Sequence, residues 1–106
     1  MNARTEELIR YTNELAEDVA KVAPDMYLTL LSPERLRWLS PAELLEFAEH
    51  FGVEVYIFLE RFEAKVTING VIINAATDRI DGVKVVAPSA MDVLRATVSQ
   101  AQSIAA

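Results

Sequence analysis

The sequence contains no cysteine, one histidine and three glycines among its 106 residues. Without cysteine there is no disulfide, no cysteine nucleophile and no thiolate ligand for a metal. The few glycines do not form a loop of the kind that binds phosphate groups. The longest near-continuous apolar run, residues 53–59, is interrupted by Glu54 and is far too short to span a bilayer. No N-terminal segment resembles a signal peptide. We therefore expect a soluble, cytoplasmic protein with no membrane contact, no cofactor and no metal.

Basic residues are also scarce, because ten Lys and Arg stand against 16 Asp and Glu, for a net charge of −6. Residues 1–52 hold ten acidic and five basic side chains, a net −5, whereas residues 53–106 hold six and five. An acidic N-terminal half repels phosphate groups, so we do not expect a nucleic-acid partner. Such a half could instead bind a basic protein surface, and that binding would weaken with salt.

The chain is nevertheless rich in apolar side chains, at 52% of its residues. That content excludes a disordered chain, and the length suits one domain over residues 1–106. A domain of this size cannot hide all of its apolar surface, so part of that surface is available for a partner. This favours a homodimer or a complex with another protein.

The N-terminal half shows helical periodicity. Residues 3–22 place apolar side chains on one face, and we expect Thr5 to cap the start and Pro24 to end the helix. Ser32-Pro33 and Ser40-Pro41 each have a serine at the N-cap and a proline at the first helical position. The first start predicts a brief helix over residues 33–39. The second predicts a helix from residue 41 to about residue 50 or 51, with Glu43 completing a capping box and Gly52 as the left-handed cap.

The C-terminal half changes to the period of strands. Asn69-Gly70 lies between two β-branched runs and predicts a two-residue hairpin turn that pairs Ile68 with Val71. Residues 53–59 and 83–87 are further candidate strands, and residues 26–31 are a short strand or an extended connection. Residues 53–68 form either one bent strand or two strands. Ser89 and Asp92 predict the start of a last helix over residues 90–103.

This order predicts the α+β class. We expect N-terminal helices, then an antiparallel three- or four-stranded meander, then a C-terminal helix, with the helices packed on the sheet. Tyr56 and Phe58 would project from one side of their strand, and Val55 and Ile57 from the other. A strand that is apolar on both sides is buried within a two-sided core or contacts another chain. Since aromatic side chains dominate protein interfaces, Tyr56 and Phe58 are our first interface candidates.

Other side chains are weaker candidates for a functional site. Trp38 with Arg35 and Arg37 could form a small recognition patch, although core packing is the alternative for Trp38. Glu46 and His50 lie one helical turn apart and could form a base with its orienting acid, or part of a metal site. Asp78 and Asp81 could bind a cation from a loop, with a solvated turn as the alternative.

Residues 40–59, SPAELLEFAEHFGVEVYIFL, resemble a segment of phage-repressor-type helix-turn-helix domains, in which a capped helix ends in a Leu-Gly-Val turn. The resemblance implies a transcriptional regulator, of the helix-turn-helix or winged-helix type. In this chain the turn is followed by an apolar run, whereas reading DNA bases requires polar and basic side chains.

These observations favour a small acidic protein–protein interaction module of the adaptor or inhibitor type, homodimeric and without a catalytic site. The regulator is the alternative, and a small enzyme or ligand-binding domain with a pocket between sheet and helices is another.

Overall fold

The computed structural model describes residues 2–22, 29–58, 61–77 and 90–105. Its elements are helix α1 (Ala3–Val22), strand β1 (Thr29–Leu31), a 3-10 turn (Glu34–Leu36), helix α2 (Pro41–Phe51), strands β2 (Val55–Phe58), β3 (Arg61–Ile68) and β4 (Val71–Ala76), and helix α3 (Ala90–Ala105). The α+β class is therefore confirmed. No helix among the described residues is long and apolar enough to span a membrane.

Helix α1 has the predicted range, Ala3–Val22, but a different N-cap. The cap is Asn2, whose Oδ1 accepts hydrogen bonds from the Thr5 backbone N–H at 2.8 Å and from the Thr5 hydroxyl at 2.9 Å. The prediction of Thr5 as the cap is therefore wrong, and Thr5 is buried inside the first turn. Leu8, Ile9 and Ala16 reach the core, which confirms most of the predicted apolar face.

The two Ser-Pro motifs behave differently. At Ser40 the capping box is complete, because Glu43 N–H donates to Ser40 Oγ and Ser40 N–H donates to Glu43 Oε1, at 3.2 and 3.0 Å. After Ser32 the helix predicted over residues 33–39 is reduced to the 3-10 turn Glu34–Leu36, which has no side-chain cap. The reason is Leu39, which forms a parallel bridge with Thr77 and donates from its N–H to the Ala76 carbonyl at 3.0 Å. An extended Leu39 stops the helix early.

The end of α2 follows the sequence closely. Gly52 adopts φ 67°, and the next amide, that of Val53, donates to the Ala48 carbonyl at 3.0 Å. This is the hydrogen bond of a Schellman cap, and it needs the left-handed residue that glycine provides without a steric cost. The cap turns the chain sharply from α2 into β2.

The hairpin predicted at Asn69-Gly70 is confirmed. Asn69 and Gly70 adopt φ 52° and 80°, and Ile68 pairs with Val71. Residues 53–68 form two strands, not one bent strand, because Phe58 pairs antiparallel with Arg61. The four strands lie in the order β1-β4-β3-β2.

One part of the predicted sheet is wrong. The sheet is mixed, not purely antiparallel, because β1 pairs in parallel with β4, with Thr29 opposite Val71. Strand β1 also precedes α2, so the strands do not all follow the N-terminal helices. The predicted strand at residues 83–87, the loop acids Asp78 and Asp81, and the Ser89 cap lie outside the described residues.

The core lies between one face of the sheet and the helices. Helix α1 contacts β4, α2 contacts β3, and α3 contacts β2. The side chains that the sheet contributes to this core come from one alternation along its strands, and the buried side chains of the helices pack against them. They include Val55, Phe62, Ala64, Val66, Val71, Ile73 and Ala75 from the strands, and Leu8, Leu44, Phe47, Val93 and Leu94 from the helices.

Candidate interaction surface

The sheet face opposite the helices carries the other alternation of side chains, and we call it the open face. Several of its side chains are solvent-exposed, including Lys65 and Thr67, and none belongs to the helix-facing core. The face is uneven, because Glu63 and Ala76 on it are buried. It consists of Leu30 from β1, Tyr56 and Phe58 from β2, Arg61, Glu63, Lys65 and Thr67 from β3, and Ile72, Asn74 and Ala76 from β4.

A polar cluster lies at the β2 side of this face. The register places Tyr56 opposite Glu63, and the Tyr56 hydroxyl donates a hydrogen bond to the Glu63 carboxylate. Arg61 Nη2 lies 3.8 Å from Glu63 Oε1, and Lys65 Nζ lies 5.5 Å from the centre of the Tyr56 ring. The buried carboxylate of Glu63 is thus compensated by a cation and a hydroxyl, as a charge in a poorly solvated site requires.

The cluster fixes the protonation state of Tyr56. Burial, together with the hydrogen bond and the negative charge of Glu63, raises the pKa of Tyr56 from 10.0 to about 12. Burial and the interactions with Glu63 all disfavour the ionised phenolate form of Tyr56. Tyr56 therefore remains a neutral hydrogen-bond donor across the physiological pH range, and it is poorly suited to act as a base.

Apolar side chains lie at both edges of the open face. Phe58, on edge strand β2, is 52% exposed, and Leu30, on edge strand β1, is 54% exposed. Tyr56 and Phe58 were predicted to lie either in a two-sided core or at a contact with another chain. Phe58 is half-exposed, because the described helices contact the other face of the sheet, so a two-sided core does not enclose it.

Trp38, Arg35 and Arg37 do not join Tyr56 and Phe58. Their segment leads into the Leu39–Thr77 bridge beside β4, so strands β4 and β3 separate it from β2. Trp38 is 57% exposed, which does not support its alternative as a core residue.

The two arginines are held by their own chain. Arg35 pairs with Glu7 at 2.9 Å and lies 4.6 Å from the centre of the Tyr11 ring. Arg37 Nε donates to the Ser32 carbonyl at 2.9 Å. Arg35 thus connects the 3-10 turn to α1, and Arg37 bonds within its own segment.

The polar candidates do not assemble into a site within the described residues. His50 is exposed on α2, and its ring contacts Phe51 edge-on with centres 5.0 Å apart. Glu46 Oε2 and Asn74 Oδ1 are buried without a hydrogen-bond partner among the described residues. In the same part of the chain, no three His, Asp or Glu side chains lie close enough to hold a metal ion. Asp78 and Asp81 lie outside it.

The segment that resembles a helix-turn-helix has a different structure after its turn. Helix α2 and the Gly52 turn lead into strand β2, and not into a second helix. The hairpin that would be the wing of a winged-helix domain is formed by β3 and β4, which are the two inner strands of the sheet.

Sequence reasoning missed Arg61, Glu63 and Lys65 as parts of the site. The pairing of Glu63 with Tyr56 could have been found by counting. If Phe58 pairs antiparallel with Arg61, the residue opposite Tyr56 is Glu63. It also missed Leu30, because the position of β1 depends on its pairing with distant β4. None of the family models, curated proteins or solved structures compared with the chain matches it.

Proposed function

We propose that this chain is a protein–protein interaction module that binds its partner through the β2 side of the open face. The observation that carries the proposal is Phe58, a half-exposed phenyl ring beside Tyr56, Arg61 and Lys65 on a sheet face that none of the described helices covers. Aromatic and arginine side chains contribute most to the energy of protein interfaces. A partner that covers Phe58 would remove the remaining half of the ring from water.

The polar cluster favours a protein partner over a purely apolar contact. Glu63 is already paired with Arg61 and with the Tyr56 hydroxyl, so covering the cluster does not leave an isolated charge buried. Arg61 and Lys65 keep unused hydrogen-bonding capacity, since each cation has more donors than these contacts use. A central apolar ring with polar groups around it is the usual composition of a protein interface.

The chain offers a matched pair of variants for testing this surface. Phe58→Ser and Leu30→Ser each remove a half-exposed apolar side chain from the open face, but at opposite edges of the sheet. Each variant and the parent chain would be immobilised and used to capture proteins from a lysate. Each captured protein would then be purified and titrated against the three chains, and self-association would be measured by light scattering.

We expect a stoichiometric partner, or a second copy of the chain, to lose at least about tenfold in affinity for Phe58→Ser. Leu30→Ser should bind like the parent chain. If Phe58→Ser and the parent chain bind the same partners with equal affinity, the proposed surface is wrong.

A further inference from the structure

Strand β2 is an edge of the sheet, and its outer side is unpaired among the described residues. Edge strands in monomers are commonly protected by proline, by lysine or by a bulge. Residues 55–58, Val-Tyr-Ile-Phe, contain neither proline nor lysine, and they pair with β3 residue by residue without a bulge. Strand β1, at the other edge, has only three residues.

Hydrogen bonds on β3 determine which backbone groups of β2 point outward. Thr77 N–H donates to the Phe62 carbonyl at 3.0 Å, and Phe62 N–H donates to Thr77 Oγ1 at 3.2 Å. The backbone of Phe62 is thus directed away from β2. Backbone groups alternate along an antiparallel strand, so Ile57, opposite Phe62, and Val55, opposite Ala64, direct their N–H and C=O groups to the free edge.

We propose that β2 pairs antiparallel with β2 of a second copy, across a twofold axis at Tyr56. This inference rests on the proposed function, because it names a second copy as the partner of the β2 surface. In this register Val55 faces Ile57 of the second copy and Ile57 faces its Val55, so all four outward-pointing residues exchange hydrogen bonds.

The side chains suit this register. On the helix-facing side, Val55 packs beside an Ile57 and extends the core of each copy. On the open face, Tyr56 lies against Tyr56 of the second copy, and Glu54 lies opposite Phe58. No two charges of like sign are opposite each other in this pairing.

Charge complementarity also favours a second copy. Phe58 is opposite Arg61 within one chain, so the pairing places Glu54 of the second copy in the same cross-strand row as Arg61. Adjacent strands are about 4.8 Å apart, so these two residues, separated by two strand spacings, would have backbones about 10 Å apart, a distance that an arginine and a glutamate side chain can span together. The twofold axis repeats this contact on the other side. An acidic protein would thereby bring opposite charges together at its interface.

The absence of cysteine makes the register directly testable by disulfide formation. Non-hydrogen-bonded antiparallel pairs have Cα atoms about 4.5 Å apart, inside the roughly 4.4–6.8 Å range of disulfides. Tyr56→Cys should therefore form a cross-linked dimer on mild oxidation. Thr67→Cys, an exposed position on the same face of β3, is the control and should form no disulfide-linked dimer.

A mixing experiment provides a second test at two exposed positions, should Tyr56→Cys not fold. Glu54→Cys mixed with Phe58→Cys should form the mixed disulfide. Neither variant should cross-link with itself, because its two copies would be offset by four residues, about 13 Å. Self-linking of both variants without the mixed product would overturn the register.

Light scattering of the unmodified chain separates this inference from the proposed function. We expect a dimer at micromolar concentrations, with a dissociation constant raised at least about tenfold by Phe58→Ser and unchanged by Leu30→Ser. A monomer that captures another protein in a Phe58-dependent way would overturn the self-pairing and keep the interaction module. A monomer with no Phe58-dependent binding would overturn both.

Discussion

Loss of the Tyr56 proton should destabilise the fold, because Tyr56 donates a hydrogen bond to the buried carboxylate of Glu63. Its pKa is raised from 10.0 to about 12 by burial and by Glu63. As the pH rises above 10, the unfolded chain therefore releases this proton before the folded chain does. The stabilisation is complete below pH 10 and is lost by about pH 12. Two pK units, discounted for the solvent that reaches a partly buried ring, correspond to roughly 1–2 kcal/mol.

The assay compares the parent chain with Tyr56→Phe, which keeps the ring and removes the titrating hydroxyl. Urea unfolding at about pH 9 and pH 11.5 gives the free energy of unfolding of each chain. All other titratable groups are the same in both chains, so the difference between the two isolates Tyr56. We expect the parent chain to lose roughly 1–2 kcal/mol more than Tyr56→Phe between these pH values.

Tyrosine absorbance near 295 nm provides the direct readout. In the parent chain one tyrosine should ionise late, and Tyr56→Phe should remove that late step. Glu63→Gln removes a charge and should shift the late step toward pH 10, without reaching it, because burial remains. If all tyrosines of a chain that is still folded by circular dichroism ionise together near pH 10, the described contact between Tyr56 and Glu63 is wrong.

Two further predictions concern the ends of α2. Burial would raise the pKa of Glu43, but the hydrogen bonds from Ser40 and the contact with Arg4 outweigh burial and lower the pKa. The ionised Glu43 carboxylate therefore stabilises the fold above about pH 4.5, and this stabilisation is lost on acidification. Glu43→Ala should lower the free energy of unfolding by about 1 kcal/mol at pH 7, measured by urea unfolding, and should make that free energy less sensitive to acid. Arg4→Gln should lower it less, because Arg4 is largely exposed. Equal losses for the two variants would contradict this ranking. Gly52→Ala should lower the free energy of unfolding by about 1 kcal/mol through backbone strain alone, since an added Cβ meets nothing within 4 Å. Gly52→Asn should lower it less. An unchanged urea midpoint for Gly52→Ala would contradict the left-handed cap.

The features predicted correctly from the sequence are those decided over a few residues. The Ser40–Glu43 capping box, the Gly52 cap and the Asn69-Gly70 turn each form between residues that are neighbours in the chain, so the residue types specify the geometry. The alternation along β2, with Val55 and Ile57 on the core side, followed from the same kind of local signal. These elements also explain why Tyr56 and Phe58 could be selected as interface candidates from their strand alone.

The features predicted wrongly depend on distant partners. Ser32-Pro33 has the same form as Ser40-Pro41, yet the helix fails there because Leu39 pairs with Thr77, far away in the sequence. The Thr5 cap was replaced by Asn2, since Thr5 is needed inside the first turn and the core. The partners of Arg35 are also distant in the sequence, because α1 supplies Glu7 and Tyr11 to the guanidinium group.

By itself, the sequence determined the elements, the turn that pairs β3 with β4, and the alternation that separates the two faces of the sheet. Hydrophobic period and turn chemistry act over short distances, so they are written in adjacent residues. Only the tertiary structure decided that β1 runs parallel to β4, that the helices cover one face, and that Glu63 lies under Tyr56 beside an exposed Phe58. Those outcomes depend on which distant surfaces are buried against each other, and patterns of neighbouring residues do not reveal that choice.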